Sequence, residues 1–355
     1  MPTQPLSRRT LLSGAGAAIV GLNLPAVSHA TSLTAEPTTR PRLPMRLLTR
    51  HGLPKTTLER INAISPDITV IVRANAEQWT HELPKADAIY GQLSGEDVAA
   101  APNLRWVQYN AAGVEHLLSP QLVAAAEVQV TNARGCHAAQ IAEHVFGLLF
   151  GLTRNIAAYA RSQHRVPRPT ELRGLTMGIV GLGSIGRETA RRAKAMDMNV
   201  LAIDERPMFV ESDRVADEIH SPDWLGEMLK RNDVLVVAAP HTPRSEGMIG
   251  DAQFALMKPT AQLINVSRGK LVKTDALLAA LKEKRLAGAG LDVTDPEPLS
   301  DDHALWDQPN VIITPHIAGQ SQFTEQRVQD VLVENVGRYV NALPLINLVD
   351  KQMGY

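Results

Sequence analysis

The feature that most constrains the fold is a cluster of glycines where one kind of periodicity gives way to another. Met177-Gly178-Ile179-Val180 is a short apolar run of strand type that enters Gly181-Leu182-Gly183-Ser184-Ile185-Gly186, and a helical stretch from Ile185 to Ala195 leaves it. Glycine is common in turns, so this spacing alone says little. Between a strand and a helix it says more. Gly181 allows a tight turn, Gly183 lets a ligand approach the backbone, and Gly186 lets helix and strand pack closely. The helix start offers unpaired N–H groups and about half a positive charge, which suits phosphate. Gly181, Gly183, Ser184, Ile185 and Gly186 are therefore candidates to hold the pyrophosphate of a dinucleotide; the alternative is a glycine-rich turn without ligand.

The next strand ends at Asp204, 18 residues after Gly186, where a carboxylate would meet the adenosine ribose hydroxyls. Asp204 and Glu205 repel a 2′-phosphate, so NAD is expected in preference to NADP. Arg206 argues the other way, and an ordinary solvated strand-end aspartate is the alternative reading.

Around this unit, apolar runs alternate with helical stretches. Met45 to Thr49, Ile68 to Val72, Ala86 to Tyr90, Leu104 to Tyr109 and Val128 to Thr131 read as strands. A long helix from Ala138 to about Arg161 and the proline-bearing stretch 165–169 follow, a candidate crossover between domains. Six more strands come next: Thr176 to Val180, Val200 to Ile203, Val234 to Ala238, Gln262 to Val266, Ala287 to Val293 and Val311 to Thr314. Alternation of this kind predicts α/β architecture with parallel sheets, and six strands suit a complete dinucleotide-binding sheet. The last helix, about Ser321 to Asn341, lies beyond that sheet and can pack back on the first.

Residues 1–30 differ in character. Ser7-Arg8-Arg9-Thr10 leads into an uncharged stretch ending at Leu24, then Pro25 and Ser28-His29-Ala30. These are the parts of a signal peptide, and the arginine pair resembles a twin-arginine export signal. The apolar run is shorter than the roughly 20 residues a spanning helix needs. A periplasmic protein with no span in its mature form is expected, with 31–44 as a linker; if the signal is unused, the protein is cytoplasmic. A disordered or misassigned start is the alternative.

Three ionisable residues follow three strands of the second series: Arg268 in Asn265-Val266-Ser267-Arg268-Gly269, Glu297 in Asp295-Pro296-Glu297-Pro298, and His316 in Thr314-Pro315-His316. In a parallel sheet all C-terminal strand ends share one edge, which also carries the glycine loop and is where ligands bind. Oxidising a secondary alcohol needs a base for the hydroxyl proton, and histidine suits reversible work near neutral pH. Glu297 can fix the ring and favour the imidazolium, and Arg268 can grip a carboxylate with two parallel hydrogen bonds. Individually, each residue could instead be solvated or structural.

Glu171-Leu172-Arg173-Gly174, the Asn-Val-Ser-Arg-Gly run at 265–269, Gly290-Leu291-Asp292-Val293 with Glu297-Pro298, and Pro309 to His316 together resemble the D-isomer-specific 2-hydroxyacid dehydrogenases over nearly all of 45–345. The resemblance implies the same roles for Arg268, Glu297 and His316. It adds Asp292 near the nicotinamide amide, Pro240 and Thr242 lining the cofactor, and Asn110, Ala111, Ala112 and Gly113 as backbone donors to the substrate carboxylate. It implies two doubly wound parallel-sheet domains, a Rossmann NAD-binding domain at 135–317 and a smaller flavodoxin-like substrate domain at 45–134 and 318–355, with a cleft between them. A homodimer and a preference for D-acids are also implied. Gly135-Cys136-His137 departs from the small residues frequent there in the family, which leaves substrate identity open.

The remaining composition narrows the partners. Lys plus Arg number 36 against 37 acidic residues, so no broad basic surface points to nucleic acid or an anionic membrane, and a small molecule is the expected partner. Removing residues 1–30 takes away two arginines and no acid, which leaves that conclusion standing. Cys136 is the only cysteine, which excludes an intrachain disulfide framework and a multi-cysteine zinc site; no other spacing suggests a metal. Cys136 as a nucleophile lacks an evident partner, and His144 within the long helix reads as a packing or interdomain residue. The expected activity is hydride transfer between NAD(H) and a small 2-hydroxy or 2-keto acid; the alternative is a non-catalytic NAD(H)-binding sensor of the same fold.

Overall fold

The computed structural model describes residues 43–161, 168–207 and 215–355, and these described residues form one compact unit. The export signal and most of the linker lie outside the described residues. No helix among the described residues is long and apolar enough to cross a membrane.

Two parallel sheets organise the unit. The first contains β1 (Met45–Thr49), β2 (Ile68–Val72), β3 (Ala88–Tyr90), β4 (Trp106–Gln108) and β5 (Gln129–Thr131), in the order β2-β1-β3-β4-β5. The second contains β6 (Thr176–Val180), β7 (Asn199–Ile203), β8 (Glu218–His220), β9 (Val234–Val237), β10 (Gln262–Asn265), β11 (Gly288–Leu291) and β12 (Val311–Ile313), in the order β12-β11-β10-β9-β6-β7-β8. These are the flavodoxin-like and Rossmann-type windings. Both sheets are covered by helices on two faces, which is why β3, β4, β9 and β11 are buried throughout and alternation of polar residues is absent from them. In the second sheet the winding reverses between β6 and β9, and the loops after those strands flank the resulting crevice.

The second sheet has seven strands, one more than the six expected. β8 is a three-residue edge strand with all residues half-exposed, so it lacks the apolar run that marks the others. The helix expected from Ala138 to about Arg161 is two: Ala138–Thr153 and Ile156–Arg161. Asn155 between them has φ +55°, a left-handed conformation that ends a helix and that asparagine tolerates well.

Helix Ala138–Thr153 carries the chain from one sheet to the other. Ile141, Val145 and Leu149 pack with Ile179, Val236 and Ile264 of the second sheet. The fit is close: a β-carbon at Gly290 of β11 would lie 2.9 Å from both Leu148 Cβ and Ile264 Cδ1. The last helix, Thr324–Val340, returns to the first sheet. Leu332, Val336 and Val340 share a core with Met45, Leu47, Ile61 and Trp106, and each such burial contributes about 1.5–3 kcal/mol. A buried polar chain fixes the register of the contact: Trp106 Nε1 donates to Thr131 Oγ1, and Asn335 Nδ2 and Thr131 Oγ1 both donate to Gln108 Oε1, all at 2.8 Å.

Candidate active site

A cleft of about 2070 Å³ runs along the C-terminal edge of the second sheet and is closed on its other side by loops of the first. All of the sequence-predicted site residues except Gly186 line it, which brings together groups from 110 to 316; Gly186 is buried behind the loop.

The glycine loop follows β6. Gly181 has φ +90°, and a β-carbon there would stand 2.8 Å from the backbone of Ala239. A β-carbon on Gly186 would fall on the Gly181 carbonyl, so only glycine allows the helix to start this close to the strand. Gly183 is different: a side chain there meets nothing within 4 Å and projects into open space. It caps helix Ser184–Ala195, whose first turn receives no side-chain hydrogen bond. The amides of Ser184 and Ile185 thus head an uncapped twelve-residue helix beside an open approach. That is the environment a pyrophosphate requires.

Asp204 stands at the end of β7. Its Oδ2 accepts from the Leu182 amide at 2.8 Å and its Oδ1 from the Arg206 amide at 3.0 Å, so the carboxylate is fixed against the glycine loop. Glu205 is paired with Arg244 at 3.0 Å. Pro240 and Thr242 form a turn on the far wall, held by Ser245: its hydroxyl donates to the Pro240 carbonyl and accepts from the Thr242 amide, each at 2.8 Å.

His316 and Glu297 meet although 19 residues separate them. His316 Nδ1 lies 2.6 Å from Glu297 Oε1. His316 has φ +52°, a conformation that costs a non-glycine residue roughly 1–3 kcal/mol and persists only when its surroundings impose it. Asp292 imposes it. Its backbone carbonyl accepts from the His316 amide at 2.9 Å, while its carboxylate accepts from the Ile317 and Ala318 amides at 3.0 Å and from Thr314 Oγ1 at 2.6 Å. His144 Nε2 lies 2.8 Å from the same threonine hydroxyl. Asp292, expected beside the nicotinamide, thus spends its carboxylate on the loop that carries His316, and His144 is part of that support.

Arg268 follows β10 and reaches the loop after β4. Its guanidinium pairs with Glu115 at 3.0 Å, a residue that sequence reasoning did not single out. In the same loop the carbonyls of Ala111 and Ala112 accept from the Ala133 amide and Asn132 Nδ2, at 3.0 and 2.6 Å, so the loop is tied down from behind. Burial first, then the Glu115 carboxylate, pushes the Tyr109 phenol above its ordinary value, with Arg268 pulling the other way. Cys136 is outside this chemistry: burial pushes its thiol up to about 11. No group of three or more metal-ligating side chains occurs among the described residues.

Residues 146–318 match the family model described as D-isomer specific 2-hydroxyacid dehydrogenase, NAD binding domain. Glycerate dehydrogenase of Methylorubrum extorquens is 37% identical over 71% of this chain and 81% of its own length. The chain belongs to the D-isomer-specific 2-hydroxyacid dehydrogenase family. D-3-phosphoglycerate dehydrogenase of Archaeoglobus fulgidus is 30% identical over 86% of this chain, which spans 59% of that longer relative. Among solved structures, the NADPH-dependent glyoxylate/hydroxypyruvate reductase of Sinorhizobium meliloti, in complex with NADP and sulfate, superposes with a TM-score of 0.72 at 28% identity, covering 88% of this chain and all of that one. This chain is thus a 2-hydroxyacid dehydrogenase by family, and its second sheet is the NAD(P)-binding domain.

Proposed function

We propose that the protein interconverts a small D-2-hydroxy acid and its 2-keto acid, with His316 as acid/base, Glu297 as its partner and Arg268 as the carboxylate clamp. The observation that carries this reading is the 2.6 Å His316–Glu297 pair on a cleft that also holds Arg268 and the glycine loop. A bound nicotinamide dinucleotide supplies or accepts the hydride. With Nδ1 occupied by Glu297, Nε2 of His316 is the nitrogen left to give a proton to the substrate oxygen during reduction and to take it back during oxidation. Glu297 keeps the ring in one orientation through its contact with Nδ1. The Asp292 contacts hold the backbone of this loop so that the ring need not be ordered at each turnover. Arg268 and the amides of 110–113 hold the carboxylate, which leaves the adjacent keto group free to meet His316.

Asp204 and Glu205 favour NAD over NADP by charge. One observation favours the second reading: Arg134, whose guanidinium is pushed below its ordinary value by burial and then by Arg206, lies within electrostatic reach of that second cation on the cleft. Two cations there suit a 2′-phosphate, and the Sinorhizobium meliloti relative is NADPH-dependent. Initial rates with NADH and NADPH against glyoxylate, hydroxypyruvate, pyruvate and bulkier 2-keto acids test both parts. The expected outcome is turnover of at least one short keto acid, faster with NADH; NADH binding without turnover of any would favour the non-catalytic sensor.

A further inference from the structure

Arg268 is held by a residue from the opposite side of the cleft. Its Nε donates to Glu115 Oε1 at 3.0 Å and its Nη2 to Oε2 at 3.4 Å, while Nη1 donates to the Ser267 carbonyl at 2.8 Å. A guanidinium carries five N–H groups. Three are used here, so one remains on each terminal nitrogen. Two parallel donors at the tip of the group are what a carboxylate accepts in a bidentate pair. A second contact fixes where that tip lies: Nη2 rests on Gly113 so closely that a β-carbon there would overlap it. Any side chain at 113 would therefore lift the guanidinium off the loop.

Glu115 has two opposing effects on an incoming carboxylate. Its charge repels the ligand, but both side chains are partly exposed, 35% for Arg268 and 24% for Glu115, so water in the cleft weakens that repulsion. Its two hydrogen bonds restrain a long side chain that would otherwise lose its rotamer freedom when substrate binds. Orientation acts at hydrogen-bond range and is not screened in this way, so it prevails.

We infer that Glu115 is a positioning residue that aims the two remaining N–H groups of Arg268 at the carboxylate of a 2-keto acid. Because Glu115 follows β4 and Arg268 follows β10, the aim depends on the two sides of the cleft standing together. This rests on Arg268 being the carboxylate clamp.

The test uses Glu115→Gln, Glu115→Asp, Arg268→Ala and the double variant Glu115→Gln/Arg268→Ala in the full chain. The readouts are kcat/KM for the best keto acid of the panel, the Kd of oxamate for the NADH complex by fluorescence, and the Kd of NADH itself. Glutamine keeps the shape but replaces one acceptor by a donor. We expect kcat/KM to fall ~10-fold, oxamate to bind more weakly and NADH binding to stay unchanged, with partial recovery in Glu115→Asp. In the Arg268→Ala background the Glu115→Gln change should have no further effect. Unchanged or tighter oxamate binding by Glu115→Gln, or an undiminished effect in that background, would overturn the inference while leaving the clamp intact. If Arg268→Ala alone changes neither kcat/KM nor oxamate binding, the clamp reading fails and the inference with it.

Discussion

At the scale of single residues, the chemistry depends on which ionisable groups are made to face the cleft and which are withheld from it. Cys136 is withheld. Its thiol is buried and raised to about 11, and the thiolate is the reactive form, so at pH 8 only about one thiol in a thousand is ionised. Treatment of the native protein with iodoacetamide at that pH should leave Cys136 unmodified and activity intact, with modification by mass spectrometry appearing only on denaturation. Fast alkylation of the native protein would contradict the burial. His316, Glu297 and Arg268 were legible in the sequence because each follows a strand, and parallel strands end on one edge. Glu115 was not legible: it sits in a loop of the other sheet, 153 residues from its partner, where no periodicity or motif marks it. Asp292 stood out in the sequence for a place near the cofactor, whereas its hold on the loop that carries His316 was not legible, because the backbone amides it accepts from are invisible in side-chain chemistry.

Elements position these residues, and the glycine loop shows how one motif divides its work. Gly186→Ala places a methyl on the Gly181 carbonyl and should force the helix away from β6. Overpacking of this kind costs roughly 1–3 kcal/mol. Gly183→Ala meets no atom of the protein. It should leave the thermal midpoint of the ligand-free protein nearly unchanged while weakening NADH binding, because the methyl projects into the approach to the helix start. Thermal melts with and without NADH separate the two variants, and equal loss of stability in the ligand-free state would contradict the assignment. Five strands of the first sheet and six of the second could be read as apolar runs. β8 could not, since its half-exposed Glu218-Ile219-His220 carries no such run. The helix break at Asn155 was equally hidden, because a left-handed backbone at one asparagine leaves the apolar periodicity on both sides intact.

For the whole molecule, the return of the C-terminal helix to the first sheet makes that part of the fold discontinuous in sequence, with the cleft residues supplied from both sides. The position of Leu332, Val336 and Val340 against Met45 and Leu47 follows from tertiary packing, which sequence periodicity suggests but does not specify. Export through Arg8 and Arg9 would send the chain out already folded, away from the cytoplasmic cofactor pool. At an association rate of about 10^6 per molar per second, a micromolar site loses NAD in about a second and a nanomolar site in roughly 10^3 seconds. The expected outcome is a periplasmic protein whose N-terminus begins beyond Ala30 and which carries bound dinucleotide on purification. An intact Met1 in the cytoplasmic fraction would remove that expectation and leave the site unaffected. Whether His316 moves the proton is decided by the rate of NADH oxidation with the best keto acid of the panel, for the wild type and His316→Ala, alongside their NADH dissociation constants. With His316 as the acid/base, the wild type turns over, His316→Ala loses about 10^2 to 10^4 in kcat and both bind NADH equally. A His316→Ala protein that kept its kcat would contradict that role.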